Sequence, residues 1–308
     1  MATVLITGGT GLVGTAMTDL LVSKGYDVII LTRRPKAASG KVSYAAWNPA
    51  EQTVDLQAIQ QADYIINLAG AGVADKRWTK KRKKEIVDSR VESGQLIVKT
   101  LQQTPGKVKA VINAAAIGWY GDDHKRSSNK EMFTEEDPVA PDFLGQTCKQ
   151  WEDSIEPVHS LGIRLVKFRI GIVLSEKGGA LKEFMKPVRL GVAAYLGSGK
   201  QFVSWIHIND MCRLFLYAIE NNDIEGVYNA VAPHPASNKT LMTTLATVVK
   251  GKFFTPFYVP AFLLKIMLGE MSIEVLKSAT VSSEKISNTG FQFAFPSLDA
   301  ALRNLVKK

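Results

Sequence analysis

Along the first 170 residues the hydrophobic positions switch repeatedly between two patterns. Short unbroken apolar runs, as in strands buried on both faces, alternate with stretches whose apolar residues recur every three to four positions, as in an amphipathic helix. Val4-Leu5-Ile6 is the first run, and Ala16, Leu20 and Leu21 recur at helical spacing after it, so a helix is expected from near Leu12. Asp27-Val28-Ile29-Ile30-Leu31 is a second strand, residues 42–47 a third and 63–68 a fourth. A long helix is expected over residues 79–101, with Ile86, Val87, Val91, Ile97 and Leu101 on its apolar side. Residues 109–113 read as a fifth strand, 143–161 as a helix and 164–170 as a sixth strand. This alternation predicts an α/β fold built on a Rossmann-type, doubly wound parallel sheet.

Beyond Ser175 the pattern loosens. Residues 180–190 and 209–220 read as helices and 203–208 and 226–230 as strands. The tail holds helices near 239–249 and 297–306, with Pro- and Phe-rich segments between them. The expected division is a Rossmann domain over residues 1–174 plus 203–232, and a smaller C-terminal substrate lobe over 175–202 plus 233–308.

Between the first strand and its helix lies Gly8-Gly9-Thr10-Gly11-Leu12-Val13-Gly14. The glycines fit both Gly9-x-Gly11-x-x-Gly14 and Gly8-x-x-Gly11-x-x-Gly14. Gly8 can take the dihedrals of a sharp strand-to-helix turn. Gly11 has no side chain to obstruct a pyrophosphate, and Gly14 lets the helix pack closely. Strand, glycine turn and helix together make a dinucleotide site with phosphates at the positive helix end. The second strand ends in Thr32-Arg33-Arg34-Pro35, with no acid where an NAD site usually carries one for the ribose 2′-hydroxyl. Arginines there suit a 2′-phosphate, so the expected cofactor is NADP(H). The small residues Ala69-Gly70-Ala71-Gly72 leave room past the end of the fourth strand. Arg90 falls near the apolar side of the long helix, where a guanidinium needs an anion or carbonyls.

The 308 residues carry a net charge of +9, part of it in Lys80-Lys81-Arg82-Lys83-Lys84 with Lys76 and Arg77 just before. The run reads as a solvated helix start. Attraction of anionic ligands is a second reading, and no nucleic-acid motif accompanies it. No apolar run reaches spanning length, so no membrane partner is expected. The chain enters its first strand at once, so no signal peptide is expected. Two cysteines, Cys148 and Cys212, make no disulfide framework and suit a cytoplasmic protein. Four scattered histidines have no metal-ligand spacing, and none is assigned to a metal.

Read together, these stretches resemble the extended short-chain dehydrogenase/reductases. More closely, the chain is similar to their atypical subfamily of epimerase family proteins, the SulA-like nucleotide-diphosphate-sugar epimerases. The stretches that carry the resemblance are GGTGLVG, NLAG at 67–70, RWTKKRKKEIVDSRV at 77–91, IGWYG, DFLGQTCKQWE, RIGIVLS, GSGKQFVSWIHINDM and the tail GEMSIEVLKSATVSSEKISNTGFQF. They cover essentially the whole chain. The resemblance implies cofactor phosphates on Thr10, Gly11, Leu12 and Val13, and the adenosine phosphate near Thr32 and Arg33. It puts Leu68 and Ala69 beside the ribose and nicotinamide, Glu85 and Arg90 reaching in from the long helix, and Val173 closing the pocket. The wider superfamily uses a Ser or Thr after the fifth strand and a Tyr-x-x-x-Lys on the next helix. The matching positions here are Ala115, Leu144 and Cys148, none able to move a proton in that way.

Other proton donors are weak candidates: Tyr120 after the fifth strand, Cys148 as a thiol without a histidine partner, and His207, which suits a structural hydrogen bond. Glu135, Glu136 and Asp137 read as a solvated acidic turn. Two function classes follow, ahead of a third, an anion or nucleic-acid binder working through the basic run. One is an oxidoreductase or epimerase moving a hydride on an unidentified small molecule. The other is a non-catalytic module that senses NADPH. An oligomer is compatible with either.

Overall fold

The computed structural model of the protein describes residues 2–104, 106–126 and 131–306. The chain begins β1 (Thr3–Thr7), α1 (Leu12–Ser23), β2 (Asp27–Thr32), β3 (Val42–Asn48), a short β4 (Thr53–Val54) and α2 (Leu56–Gln61). It continues through β5 (Tyr64–Asn67), the long α3 (Lys80–Gln103), β6 (Ala110–Ala116), α4 (Phe143–Ile155) and β7 (Arg164–Ile170). One sheet has the order β4-β3-β2-β1-β5-β6-β7, with every neighbour parallel except β4 on β3.

Its two faces are sorted by the two-residue period of a strand. Val4, Ile6, Val28, Ile30, Ile66 and Ile112 point one way, into a core shared with Met17 and Leu21 of α1. Leu5, Ile29, Leu31, Ile65 and Val111 point the other way, against Leu96, Ile97 and Leu101 of α3. Burial on both faces is why these strands read as continuous apolar runs. The order reverses between β1 and β5, which opens a crevice at the C-terminal strand ends, where open α/β sheets bind ligands.

The second half is β8 (Ile172–Ser175), α5 (Gly179–Arg189), β9 (Val192–Leu196), β10 (Phe202–Val203), β11 (Trp205–His207), α6 (Ile208–Glu220), β12 (Gly226–Ala230) and β13 (Ala236–Ser237). It ends with α7 (Asn238–Lys250), β14 (Thr255–Val259), α8 (Ala261–Leu268), α9 (Ser272–Leu276), α10 (Glu284–Ser287) and α11 (Leu298–Val306). β12 returns to the main sheet beside β7. The other strands form two-stranded sheets, β8 with β11, β9 with β14 and β10 with β13. A further core of Leu181, Tyr195, Trp205, Leu241, Leu245 and Leu302 holds this part together.

Three expectations change. The strand expected over 203–208 breaks at Ser204, whose hydroxyl donates to the Ala279 carbonyl and accepts from the Val281 amide, tying the tail down. The helix expected to reach 161 is α-helical only to Ile155 and continues as a 3-10 helix over Glu156–Leu161. A parallel pair, β9 with β14, lies where the tail looked irregular. Among the described residues no helix is long and apolar enough to cross a membrane.

Candidate functional site

The glycine turn sits at the reversal point. Gly8 has φ +67, and a Cβ there would lie 2.7 Å from the Leu68 carbonyl oxygen. Gly14 is more tightly enclosed: its Cβ would overlap the Gly8 carbonyl and lie 2.5 Å from Cα of Gly9. Gly14 therefore lets α1 pack on the turn itself. Gly11 differs, because a Cβ there meets only the Gly8 oxygen, at 3.3 Å. Gly11 is the N-cap of α1 and no side chain caps it. The first bond of the helix is Thr15 N–H to the Gly11 carbonyl, so the N–H groups of Leu12, Val13 and Gly14 lack intrahelical partners. Thr10 and Gly11 are exposed at this uncapped, positive end.

A buried polar chain holds the next wall. The Thr7 hydroxyl donates to Asn67 Oδ1 at 2.6 Å and accepts from the Leu68 and Ala69 amides, both at 3.1 Å. Asn67 Nδ2 donates to Asn113 Oδ1 at 2.7 Å. Three neighbouring strands are thus cross-linked, and Leu68–Ala69 is fixed beside the glycine turn. Thr7, Asn67 and Asn113 were not singled out in the sequence. The signal was a polar residue closing the first and fourth apolar runs and one interrupting the fifth.

Arg90 lies beneath the small-residue bend: a Cβ at Gly70 would be 3.1 Å from its Cζ. It donates to the Ala71 and Ile86 carbonyls at 3.0 and 2.9 Å and packs over the Trp151 ring. Burial lowers its pKa below the ordinary guanidinium value. It has no acidic ion-pair partner among the described residues.

The basic run is not simply a solvated helix start. Arg82 is buried, donates to the Gly72 carbonyl and pairs with Glu85 at 2.8 Å. Lys83 pairs with Glu270, and Arg77 donates to the Ile266 carbonyl at 3.0 Å. Part of the run therefore clamps the bend after β5 and docks on the C-terminal helices. Glu85 itself is exposed and held by Arg82.

At the other wing, Arg33 and Arg34 are exposed past the end of β2, with no ion-pair partner among the described residues. Thr32 Oγ1 accepts from the Arg34 amide at 3.3 Å. Val173 is half-buried on β8. The turn that follows β8 reaches the glycine site, since a Cβ at Gly179 would lie 3.3 Å from a Leu12 methyl.

The positions expected for a proton relay form a packed apolar layer. Ala115 and Cys148 are buried, and Gly118 fits closely against Leu144 and Cys148 Sγ. Burial pushes the Cys148 thiol up to about 12, with Glu152 adding to the effect, so it carries no thiolate near neutrality. Tyr120 does not face the crevice, which corrects its candidacy. Its ring is wholly buried on Phe133, its hydroxyl donates to Asn229 Oδ1 at 2.7 Å and accepts from Arg169 at 3.1 Å, and burial raises its pKa. His207 accepts from the Asn209 amide at 3.0 Å and stacks on Phe295. Burial lowers its pKa, so it is a neutral structural residue.

The acidic turn is also corrected. Glu135 accepts from the Asn229 amide at 2.7 Å, and burial raises its pKa. Asp137 is buried and accepts from the Thr134 amide at 2.7 Å. Arg169, buried on β7, joins these parts. It makes two bonds to Glu152, at 2.8 and 3.1 Å, bonds Tyr120 and the Glu135 carbonyl, and stacks 3.7 Å from the Trp119 ring.

The model of the NAD dependent epimerase/dehydratase family matches residues 4–230. The chain belongs to that family. A domain of unknown function, DUF1731, matches residues 259–305. Epimerase family protein YfhF of Bacillus subtilis is 34% identical over 305 residues, covering 98% of this chain and 97% of that one. A Staphylococcus saprophyticus epimerase family protein is 36% identical over 304 residues, with 98% of each chain covered. The crystal structure of human epimerase family protein SDR39U1, with NADPH, superposes with a TM-score of 0.85 at 31% identity, covering 98% of both chains. A Bacillus cereus UDP-glucuronic acid 4-epimerase, solved with its sugar nucleotide and NAD, shares the fold at TM-score 0.78 and 18% identity, covering 98% of this chain and 97% of that one. The family and the Rossmann-like fold expected from the motifs are therefore established.

Proposed function

We propose that the glycine turn binds NADPH, and that the chain supplies binding and orientation there but no proton from the usual relay positions. The observation that carries the cofactor reading is the unpaired Arg33–Arg34 pair at the end of β2. A guanidinium meets a phosphate through two parallel hydrogen bonds, and no acid is present to prefer a ribose hydroxyl. The NADPH in the human relative supports the same reading. Thr10, Gly11, Leu12, Val13 and Gly14 would hold the pyrophosphate. Arg90 would lend its uncompensated charge, and Leu68, Ala69 and Val173 would line the nicotinamide side. Glu85 would take part only by leaving Arg82. When bound, the cofactor supplies a hydride.

On the protein side, Ala115 and Leu144 cannot exchange protons, Cys148 keeps its proton up to about 12, and Tyr120 is locked in its buried network. This favours a module that binds NADPH and reports it. A second reading, an oxidoreductase or epimerase on an unidentified small molecule, is favoured by the C-terminal part, whose Lys277 reaches Asp142 at the start of α4 at 3.3 Å. General acid–base help contributes roughly 10²–10⁴-fold. The purified protein is therefore expected to oxidise NADPH negligibly with a panel of ketones and nucleotide sugars, followed by nicotinamide absorbance. Brisk turnover that persists in Tyr120→Phe and Cys148→Ala would overturn the non-catalytic reading and point to another donor.

A further inference from the structure

Residues 184–209 and 226–269 contain no aspartate or glutamate. They build β9, β14, α7 and α8, and large apolar side chains stand exposed on them. Leu190 and Phe253 are the most exposed large apolar side chains, at 85% and 87%. They sit at the same end of the β9–β14 pair, where Thr255 N–H donates to the Gly191 carbonyl at 2.8 Å. Among the described residues β14 has only β9 as a neighbour, and its Phe257 is exposed. It leads directly into α8, whose Phe262, Leu263, Ile266 and Met267 all face outward, with Leu264 alone buried. At helical spacing these four form one stripe, the reverse of what a helix packed on a core presents.

Cations stand beside these exposed apolar side chains. Arg189 adjoins Leu190, Lys250 and Lys252 flank the Phe253 turn, and Lys265 stands within α8. None of the four has an ion-pair partner among the described residues. Exposed apolar side chains with unneutralised cations beside them match the boundary of an anionic bilayer, where apolar groups enter the headgroup region and cations meet lipid phosphates. A second copy of the chain matches it poorly, since the same segments of a partner copy bring cations and no acid to pair with them. We propose that this face docks the protein on an anionic membrane surface. The expectation of no membrane partner rested on spanning length, and a surface contact needs no span.

The test is co-sedimentation of the full chain with vesicles of phosphatidylcholine alone, and with vesicles in which about a third of the lipid is phosphatidylglycerol. Partitioning onto the anionic vesicles is expected to be at least about tenfold stronger and to weaken with salt. Phe253→Asp combined with Ile266→Asp should lower it at least about tenfold. Both side chains are solvent-exposed, so circular dichroism and the urea midpoint should not change. Lys250→Glu with Lys252→Glu should remove the preference for anionic lipid. Equal binding to both vesicle types, or undiminished binding by the variants, would overturn the proposal. So would a dimer in sedimentation velocity that Ile266→Asp dissociates while the unmodified chain ignores vesicles, because that result assigns the face to a second copy.

Discussion

Replacing Glu152 with glutamine is expected to destabilise the protein by about 3–5 kcal/mol, because it leaves the buried Arg169 without its counter-charge. Both side chains are buried, and their two hydrogen bonds measure 2.8 and 3.1 Å. Burial alone would lower the guanidinium's pKa, yet the bonds to Glu152 and Tyr120 outweigh it and the pKa is raised. The charged form is therefore the one the network is built around. Arg169 also bonds the Glu135 carbonyl, so losing the pair loosens the junction of β6, β7 and β12. Urea unfolding followed by circular dichroism reads the loss as a lower midpoint. Pairing Arg169→Met with Glu152→Leu should be less damaging than Glu152→Gln alone, because it removes both charges together. A single variant costing under about 1 kcal/mol would mean that water reaches the pair.

Gly11→Val is expected to abolish NADPH binding while leaving the fold intact. At Gly11 the backbone has φ −81, open to any residue, and the added Cβ meets only one oxygen, at 3.3 Å. The side chain would project from an exposed position at the uncapped end of α1, where a pyrophosphate must approach the main chain. Gly14→Val is the contrast. Its Cβ would lie 2.5 Å from Cα of Gly9, so that variant should unfold at markedly lower urea concentration. A folded Gly11→Val that binds NADPH as the unmodified chain does would move the phosphate site away from this turn.

How far the sequence revealed all this depended on how local each feature is. β1, the glycine turn, α1 and β2 were legible because their signals lie within 32 residues of chain. The start of α3 was equally clear, since Thr79 accepts from the Arg82 amide as an ordinary N-cap. The Tyr120–Asn229 and Glu135–Asn229 bonds join residues 109 and 94 positions apart, and nothing in either neighbourhood marks them. Tyr120 and Glu135 therefore read as a candidate donor and a solvated acid. The β9–β14 pair was hidden for a similar reason: six elements, β10 through α7, separate its strands, and Pro256 makes the second one look irregular. Arg82 was discoverable. It lies four residues before Ile86 and eight before Arg90, on the same buried face, but the charge of its neighbours masked the spacing.

The central claim is that an arginine-flanked glycine turn takes the phosphorylated dinucleotide. Calorimetric titration of the unmodified protein with NADPH and with NADH, repeated on Arg33→Asp, tests it most directly. A charge-assisted hydrogen bond is worth about 1.5–3 kcal/mol, so one NADPH per chain should bind at least about tenfold more tightly than NADH. In Arg33→Asp that preference should shrink or reverse. Equal affinities in the unmodified protein, or a preference that survives Arg33→Asp undiminished, would contradict the account.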